Sequence, residues 1–264
     1  MPDTYSHGHH ESVLRSHRNR TVENSAAYLI PYLATGLSVL DVGCGPGTIS
    51  ADVAGRVAPG HVTAIDYAPD AITAALGDFG DAANLTFAVG DAYNLDFADD
   101  TFDVVHAHQV LQHLTDPVGA LREWRRVVKP NGIVAARDSI YSSKAWYPAD
   151  PVLDRWLELY HQLTDRNDAE DDAGIFLPAW AAQAGYSDVA FSGSTWAYAD
   201  PDSRAWWGGL WADRALESSF ATQTIEYGLS TQAELEAISA AWTRWAAHPE
   251  ASYMVVHGEI IARP

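Results

Sequence analysis

The feature that most constrains the fold is a glycine-rich turn that directly follows a short apolar run. Residues 37–42 form an apolar stretch typical of a buried strand, and it continues into the turn 43–47. Glycines at positions 43, 45 and 47 let the backbone bend sharply and approach a ligand closely. We therefore expect a strand, a ligand-binding turn and a helix that ends near Val57.

Alternating patterns on either side of this turn predict an α/β domain. The predicted strands after the turn cover residues 61–65, 85–89, 102–106 and 132–137. Predicted helices cover residues 22–33, 69–76 and 117–128. Such alternation implies a doubly wound, mostly parallel sheet that is covered by helices on both faces.

Beyond residue 140 this alternation breaks down. Long helical patterns near residues 149–166 and 200–247 interrupt strand patterns near 187–196 and 252–262. Nine of the ten tryptophans lie in this part, which favours a helical cap whose core they fill. Some of them are expected to line an apolar pocket over the carboxyl edge of the sheet, where ligands of such folds bind.

These patterns predict three parts of the chain. They are an N-terminal lid segment at 1–20, an α/β core at 21–139, and helical cap insertions at 140–264 that are interleaved with the closing strands of the core.

Composition and charge exclude several functional classes. Thirty-five acidic residues against sixteen Lys and Arg give a net charge of -19, without a basic run, which argues against nucleic acid or anionic membrane as a partner. The single cysteine, Cys44, permits no internal disulfide. No apolar run approaches the roughly 20 residues that span a bilayer, and the start lacks a secretory pattern, so we expect a cytoplasmic protein.

The spacing in the turn separates two kinds of cofactor. A dinucleotide-binding turn reads G-x-G-x-x-G, which would require a glycine at position 48, where this chain has Thr48. The observed spacing is G-x-G-x-G, and Asp41 precedes it. An acidic group at this point suits an ammonium group better than a pyrophosphate, so a ligand with a cationic amino-acid end is favoured.

Residues 37–138 resemble the class I S-adenosylmethionine (SAM)-dependent methyltransferases, in particular the group that includes ubiquinone and menaquinone biosynthesis enzymes. The resemblance depends on the turn 41–47 and on the segments 102–105, 110–117 and 121–132, which follow in family order. It implies a seven-stranded sheet, SAM as cofactor, and in-line methyl transfer to a small-molecule substrate.

The resemblance also implies roles for individual carboxylates. The turn from Asp41 to Gly47 would hold the methionine part of SAM, Asp66 the ribose hydroxyls, and Asp91, followed by Ala92, the adenine amino group. An ionised carboxylate accepts two hydrogen bonds, which matches a vicinal diol or an exocyclic amine.

Candidate site residues follow from these roles and from the ends of the predicted strands. The predicted cofactor contacts are Tyr5, Arg20, Asp41, Gly43, Cys44, Gly45, Gly47, Thr48, Asp66, Tyr67, Gly90, Asp91, Ala92, His108 and Gln109. His9, His10 and His108 are candidate general bases, because a neutral hydroxyl or carbon acid needs a base near neutral pKa. Tyr141, Trp146 and Trp180 are candidate acceptor contacts, and the tryptophan-rich cap favours an apolar or aromatic acceptor.

The same residues also allow other interpretations. Cys44 could be a nucleophile, but the need for a small side chain in a turn that lies close to the ligand explains a cysteine at this position better. His113 is interpreted as structural. The histidines near the N-terminus could chelate a metal, but no second ligand cluster is evident, and we predict no metal site. The alternative functions are a SAM-binding protein without methyl transfer, such as a scaffold or a catalyst of another rearrangement, and an NAD-dependent oxidoreductase.

Overall fold

A computed structural model describes residues 16–264 of the chain. Its central feature is a seven-stranded sheet in the order β3-β2-β1-β4-β5-β7-β6. The strands are β1 Ser38–Val42, β2 His61–Asp66, β3 Leu85–Val89, β4 Phe102–His108, β5 Val128–Tyr147, β6 Asp188–Tyr198 and β7 Ser252–Arg263. Strands β1 to β5 run parallel, and β7 runs antiparallel to both of its neighbours. The predicted doubly wound, mostly parallel sheet is confirmed.

Helices cover both faces of the sheet and form the cap. They are α1 Val22–Ser25, α2 Thr48–Val57, α3 Pro69–Phe79, α4 Pro117–Val127, α5 Pro151–Arg166, α6 Ala173–Gln183, α7 Pro201–Glu217, α8 Ser219–Glu226 and α9 Gln232–Ala247. Several of them begin with an Asp-Pro pair: Asp116, Asp150 and Asp200 each accept a hydrogen bond from a backbone N–H of the first turn. The proline that follows has no N–H to leave unpaired, so the pair defines the start of the helix.

Two predicted helices differ from the structure. The pattern at 22–33 is split, because α1 ends at Ser25, Ala26 adopts a φ of -143°, and a 3-10 helix follows at Ala27–Tyr32 with Pro31 inside it. The pattern at 200–247 is divided into α7, α8 and α9. Ser218 ends α7 and caps α8 through its side chain, and Gly228, with φ +69°, turns the chain after α8.

The apolar core has three clusters. Two of them lie on the faces of the sheet, where Trp124 of α4 is fully buried against one face and Leu29 against the other. The third lies between the cap helices α5, α7, α8 and α9 and the outer parts of β5 and β7. Its largest buried side chains include Trp156, Trp211 and Trp242. Most tryptophans beyond residue 140 therefore fill a core, as predicted.

Parallel pairing brings the carboxyl ends of the first four strands to one edge of the sheet. The turn 43–47 follows β1, Asp66 ends β2, Asp91 comes shortly after β3, and His108 ends β4. In the described part of the chain, no helix has both the length and the apolarity needed to cross a lipid bilayer.

Candidate functional site

A cavity of about 820 Å³ opens at this carboxyl edge. Ligand pockets commonly have volumes of roughly 300–1,000 Å³. What we call the polar end of the cavity is formed by Gly43, Cys44, Gly45, Asp66 and Asp91. The aromatic end is formed by Tyr141, Trp196, Tyr198, Trp206, Trp207 and Trp211. Both ends belong to one continuous space.

The glycine turn has a backbone that only glycine adopts without strain. Gly43, Gly45 and Gly47 have φ values of +70°, +55° and +82°. A β-carbon on Gly43 would overlap the side chain of Val110, and one on Gly47 would lie 2.7 Å from the ring of Phe87. Close packing beneath the turn and left-handed backbone within it explain the three glycines together.

Asp66 connects the turn after β1 with the turn after β2. Its Oδ2 accepts a hydrogen bond from the Gly45 backbone N–H at 2.9 Å, and its Oδ1 accepts one from the Ala68 N–H, also at 2.9 Å. These donors fix the orientation of the carboxylate, which stays partly exposed to the cavity. Each carboxylate oxygen has further lone pairs, so Asp66 retains the capacity to accept ligand hydroxyls.

Asp41 is held inside the protein. It is 3% exposed, its Oδ1 lies 2.8 Å from Nδ1 of His106, and its Oδ2 accepts a hydrogen bond from the Ser50 hydroxyl at 2.5 Å. Because His106 is on β4 and Ser50 on α2, the carboxylate joins three elements beneath the turn. This structural role was not predicted, and contact between Asp41 and a ligand ammonium group stays a prediction.

Asp91 is the most exposed of the three carboxylates at this edge. Its Oδ1 accepts the Tyr93 backbone N–H at 2.9 Å, which closes a local turn, while the residue itself is exposed at the cavity. The preceding Gly90 donates its N–H to the Asp66 carbonyl oxygen at 3.0 Å, so both carboxylates are placed by one short backbone network.

A chain of hydrogen bonds marks the boundary between the two ends. Nη2 of Arg20 donates to Oε1 of Gln109 at 2.5 Å, and Nε2 of Gln109 lies 3.0 Å from Nε2 of His257. Since Oε1 of Gln109 accepts from arginine, its amide nitrogen must be the donor to the imidazole. The assigned network therefore places the proton of neutral His257 on Nδ1.

His108 lies beside this network and differs from His257 in one respect. It is 5% exposed and lines the cavity, and neither ring nitrogen has a hydrogen-bond partner among residues 16–264. Burial, followed by the charges of Arg20 and Arg137, holds the pKa of His108 well below its ordinary value. Burial and the same two arginines also lower the pKa of His257. Both rings are neutral near pH 7, but only His108 keeps both nitrogens available to a ligand.

Closely packed rings and one buried ion pair form the wall beyond this boundary. The ring centroid of Trp196 lies 4.4 Å from that of His257, and Cζ of Arg137 lies 4.9 Å from the same indole. Arg137 is paired with Glu259 at 3.1 Å between Nε and Oε1, directly across β5 and β7. The charged pair supports the indole face, and the rings present an apolar surface to the cavity.

Most of the predicted contacts come together in this cavity. Those that line it are Arg20, Asp41, Gly43, Cys44, Gly45, Thr48, Asp66, Tyr67, Gly90, Asp91, Ala92, His108, Gln109 and Tyr141. Gly47 is packed beneath the turn against Phe87. Tyr5, His9 and His10 lie outside the described residues. Burial and the neighbouring carboxylates Asp41 and Asp66 raise the pKa of the Cys44 thiol, so it stays protonated, in keeping with a packing role.

Two predicted acceptor contacts lie elsewhere. The ring centroid of Trp146 lies 6.1 Å from that of Trp156 in the cap core. Trp180 stacks on Phe176 with ring centroids 5.8 Å apart, and it packs against the sheet. Neither ring borders the cavity, so this prediction is corrected. Cavity residues that the sequence did not single out include Lys144, Ser194, Trp196, Tyr198, Trp206, Trp207, Trp211, Arg214, His257 and Glu259. Only tertiary structure places them together, because no short motif contains them.

Comparisons with known proteins agree with this geometry. Residues 40–136 match a family described as a methyltransferase domain. An uncharacterized methyltransferase of Schizosaccharomyces pombe is 31% identical over 97% of this chain and 95% of its own length. The probable methyltransferase ltbC of Aspergillus luteorubrus is 29% identical over 98% of this chain and 97% of its own.

A solved structure shares the fold. Phosphoethanolamine N-methyltransferase 2 of Haemonchus contortus, in complex with SAM, aligns with a TM-score of 0.56 and 17% identity. The alignment covers 92% of this chain and 52% of that one.

Proposed function

Since this chain belongs to the class I SAM-dependent methyltransferases, we propose that it methylates a largely aromatic small molecule bound at the aromatic end of the cavity. The observation that carries the proposal is the continuity of the cavity. One space joins the glycine turn and its carboxylates to a wall of six aromatic side chains. Family membership establishes SAM as the cofactor and decides against the NAD-dependent alternative.

The polar end fits SAM in its donor groups and in its shape. Asp66 has its orientation fixed by backbone donors and Asp91 is exposed, so both present acceptor oxygens to the cavity. We assign Asp66 to the ribose hydroxyls and Asp91 to the adenine amino group. The turn 43–47, which has no room for β-carbons at Gly43 and Gly47, allows close backbone approach to the methionine part.

When bound, SAM supplies an electrophilic methyl group on a positively charged sulfur. The chain's own contribution is to align the acceptor, to exclude water and to remove a proton where the acceptor carries one. His108 is buried, and neither of its ring nitrogens has a partner among residues 16–264, so we assign it as the general base; its lowered pKa keeps the ring in the neutral form that can accept a proton. His257 accepts from the Gln109 amide through Nε2 and so holds Gln109 at the boundary of the two ends.

The acceptor class follows from the wall of the aromatic end. Tyr198 stacks on Trp207 with ring centroids 4.6 Å apart, and Trp211 and Tyr141 complete a surface that favours planar, apolar molecules. The residues near the N-terminus that the structure describes, Ser16, His17 and Arg20, also line the cavity. We therefore retain the proposal that segment 1–20 acts as a lid over the bound ligands.

Calorimetric titration with SAM, its demethylated product S-adenosylhomocysteine (SAH) and NAD tests the cofactor part of the proposal. We expect SAM and SAH to bind and NAD not to bind. Transfer of a labelled methyl group from SAM to a panel of phenols, aromatic acids and aliphatic amines then tests the acceptor class. Transfer confined to aliphatic amines would overturn the aromatic assignment, and binding of NAD without SAM would overturn the cofactor site.

A further inference from the structure

Lys144 is a buried cation at the wall of the aromatic end. It is 9% exposed and borders the cavity. Its Nζ lies 2.8 Å from the ring centroid of Tyr141 and 5.0 to 5.4 Å from the rings of Trp156, Tyr160 and Trp211. Aromatic faces attract a cation, but they do not neutralise its charge.

No carboxylate within residues 16–264 forms an ion pair with Lys144. The two acidic residues near it, Asp171 and Asp172, have partners of their own. Oδ2 of Asp171 lies 2.7 Å from Nδ1 of His161 and accepts a bond from the Thr164 hydroxyl at 3.1 Å, and Oδ1 of Asp172 accepts the Ser142 N–H at 2.7 Å. A buried lysine without a carboxylate partner is costly to a fold, and a ligand that carries a carboxylate would offset this cost.

The surroundings of Lys144 add positive charge and an open donor. Arg214 also borders the cavity, and its Cζ lies 5.1 Å from the Trp211 ring centroid, so both Lys144 and Arg214 lie near this indole. Trp207, 6.2 Å from Trp211, has an indole N–H that is buried without a partner in the described part of the chain. Both features suit an anion that accepts hydrogen bonds.

Lys144 lies farther along β5 than the residue that pairs with His108. That residue is Arg137, and Lys144 and His108 both border the cavity. An acceptor whose methylated atom lies beside His108 would therefore extend its remote part toward Lys144.

We propose that Lys144 anchors a carboxylate at the end of the acceptor remote from the methylated atom, which makes the preferred acceptor an aromatic acid. This deepens the proposed function and rests on it. Burial holds the pKa of Lys144 well below its usual value, with Asp171 and Asp172 opposing the shift and Arg214 adding to it. A bound carboxylate would restore the charged form, so the anchor is strongest when the ligand is present.

The test compares aromatic acids with their neutral amides. Benzoate, naphthalene-2-carboxylate and indole-3-acetate, each with its primary amide, are titrated calorimetrically into the full chain saturated with SAH. We expect at least one acid to bind about tenfold or more tightly than its amide, as expected for a hydrogen bond to a charged group. K144M should reduce the acids to the affinity of the amides, and K144R should retain part of the preference.

The other lysine of the chain, Lys129, provides the matched control. It is partly exposed and pairs with Asp103 at 2.8 Å, away from the cavity, so K129M should leave the acid preference unchanged. Stability gives a second readout. If Lys144 served only to contact the surrounding rings, its replacement should lower the denaturant concentration at the unfolding midpoint. We expect K144M to have the same or a higher midpoint than the wild type, because the cost of burying an amine without a carboxylate partner is removed.

Three outcomes decide the inference. The inference is overturned if no acid binds more tightly than its amide. It is also overturned if K144M keeps the preference for acids, or if K144M loses stability and K129M does not. Titration of SAH and of the neutral amides separates this failure from failure of the proposed function. If SAH and the amides bind while the acids show no preference, only the anchor is refuted.

Discussion

At the polar end of the cavity, the ligand-facing groups come from three short turns between residues 41 and 91, whereas at the aromatic end they come from strands and helices between residues 137 and 259. The polar end is built from backbone and short side chains that hydrogen bonds hold in place. The aromatic end is built from large rings around buried cations. In the function that we propose, the first construction holds the cofactor and the second selects the acceptor.

His108 lies at the junction of the two ends, and its replacement should give the largest effect. For H108Q we expect turnover of an acceptor that carries a proton to fall about 10²- to 10⁴-fold, the usual contribution of general acid–base catalysis. Affinity for SAH should change much less. Turnover is measured by labelled methyl transfer, and affinity by calorimetry.

H61Q is the matched control, because the His61 side chain is exposed on β2, away from the cavity, and its Nε2 lies 3.0 Å from the Thr86 hydroxyl. If H108Q turned over acceptor at the rate of H61Q, the assignment of His108 as base would be wrong and the junction would have no proton-accepting role.

A change in the packing beneath the glycine turn should come next in size. G47A places a β-carbon 2.7 Å from Phe87 on a backbone with φ +82°, so the free energy of unfolding should fall by about 2–4 kcal/mol from backbone strain and overpacking together. G55A is its control: Gly55 lies inside α2 with open space around it, and alanine should raise stability by up to about 1 kcal/mol. Urea denaturation measures both, and equal stabilities would show that the turn tolerates side chains.

Removing the Asp66 carboxylate should weaken cofactor binding and leave the aromatic end of the cavity unchanged. We expect D66A to bind SAM about 10- to 100-fold more weakly, since hydrogen bonds to a charged group contribute roughly 1.5–3 kcal/mol. D81A, at an exposed position after α3, should bind SAM as the wild type does. Binding of an aromatic acid at the far end should be preserved in both variants. An unchanged SAM dissociation constant for D66A would disprove the ribose assignment.

The pH dependence of stability should show the smallest effect. Because the pKa values of His108 and His257 are lowered by burial, the unfolded chain takes up protons before the folded chain does as the pH falls. Their contribution to stability is therefore complete above the ordinary histidine pKa and is lost as the pH falls below it. The double variant H108Q/H257Q should lose less stability than the wild type between pH 7 and pH 5 in urea denaturation.

His161 provides a comparison of opposite sign. Its hydrogen bond to Asp171 raises its pKa, so its contribution is present at low pH and is lost as the pH rises through the raised value. H161N should therefore steepen the loss of stability toward pH 5. Identical slopes in the wild type and both variants would contradict the burial of neutral imidazoles at the junction.

The two ends also differ in how far the sequence predicts them. The strand, the turn and the helix at 37–57 follow from local patterns, and the carboxylates Asp66 and Asp91 follow from their positions after strands. Asp41 shows a limit of this reasoning: its contact with a ligand stays a prediction, and the sequence did not reveal that His106 and Ser50 bond to its two oxygens. A motif gives the position of a charged group and does not reveal its buried partners.

Beyond residue 140 the sequence does not show in which direction each side chain points, and this limits the prediction of cavity residues. The sequence indicated a tryptophan-rich cap, and it named Tyr141 correctly as a residue of the cavity wall. Trp146 and Trp180 were misplaced, because a tryptophan pattern does not show whether a ring points into a core or into a cavity. Trp196 reaches the cavity because it lies on β6 beside β7, where Trp196 pairs with Val255 and Ser194 with His257.

The sequence by itself determined the α/β class, the glycine turn and the order of the carboxylates, because contiguous residues encode the strand periodicity, the left-handed backbone and the residue that follows each strand. Tertiary structure alone decided the wall around Lys144, the pairing of Arg137 with Glu259 and the approach of His257 to Gln109. The physical reason is sequence separation. These partners are brought together by strand register and helix packing, which no local pattern specifies.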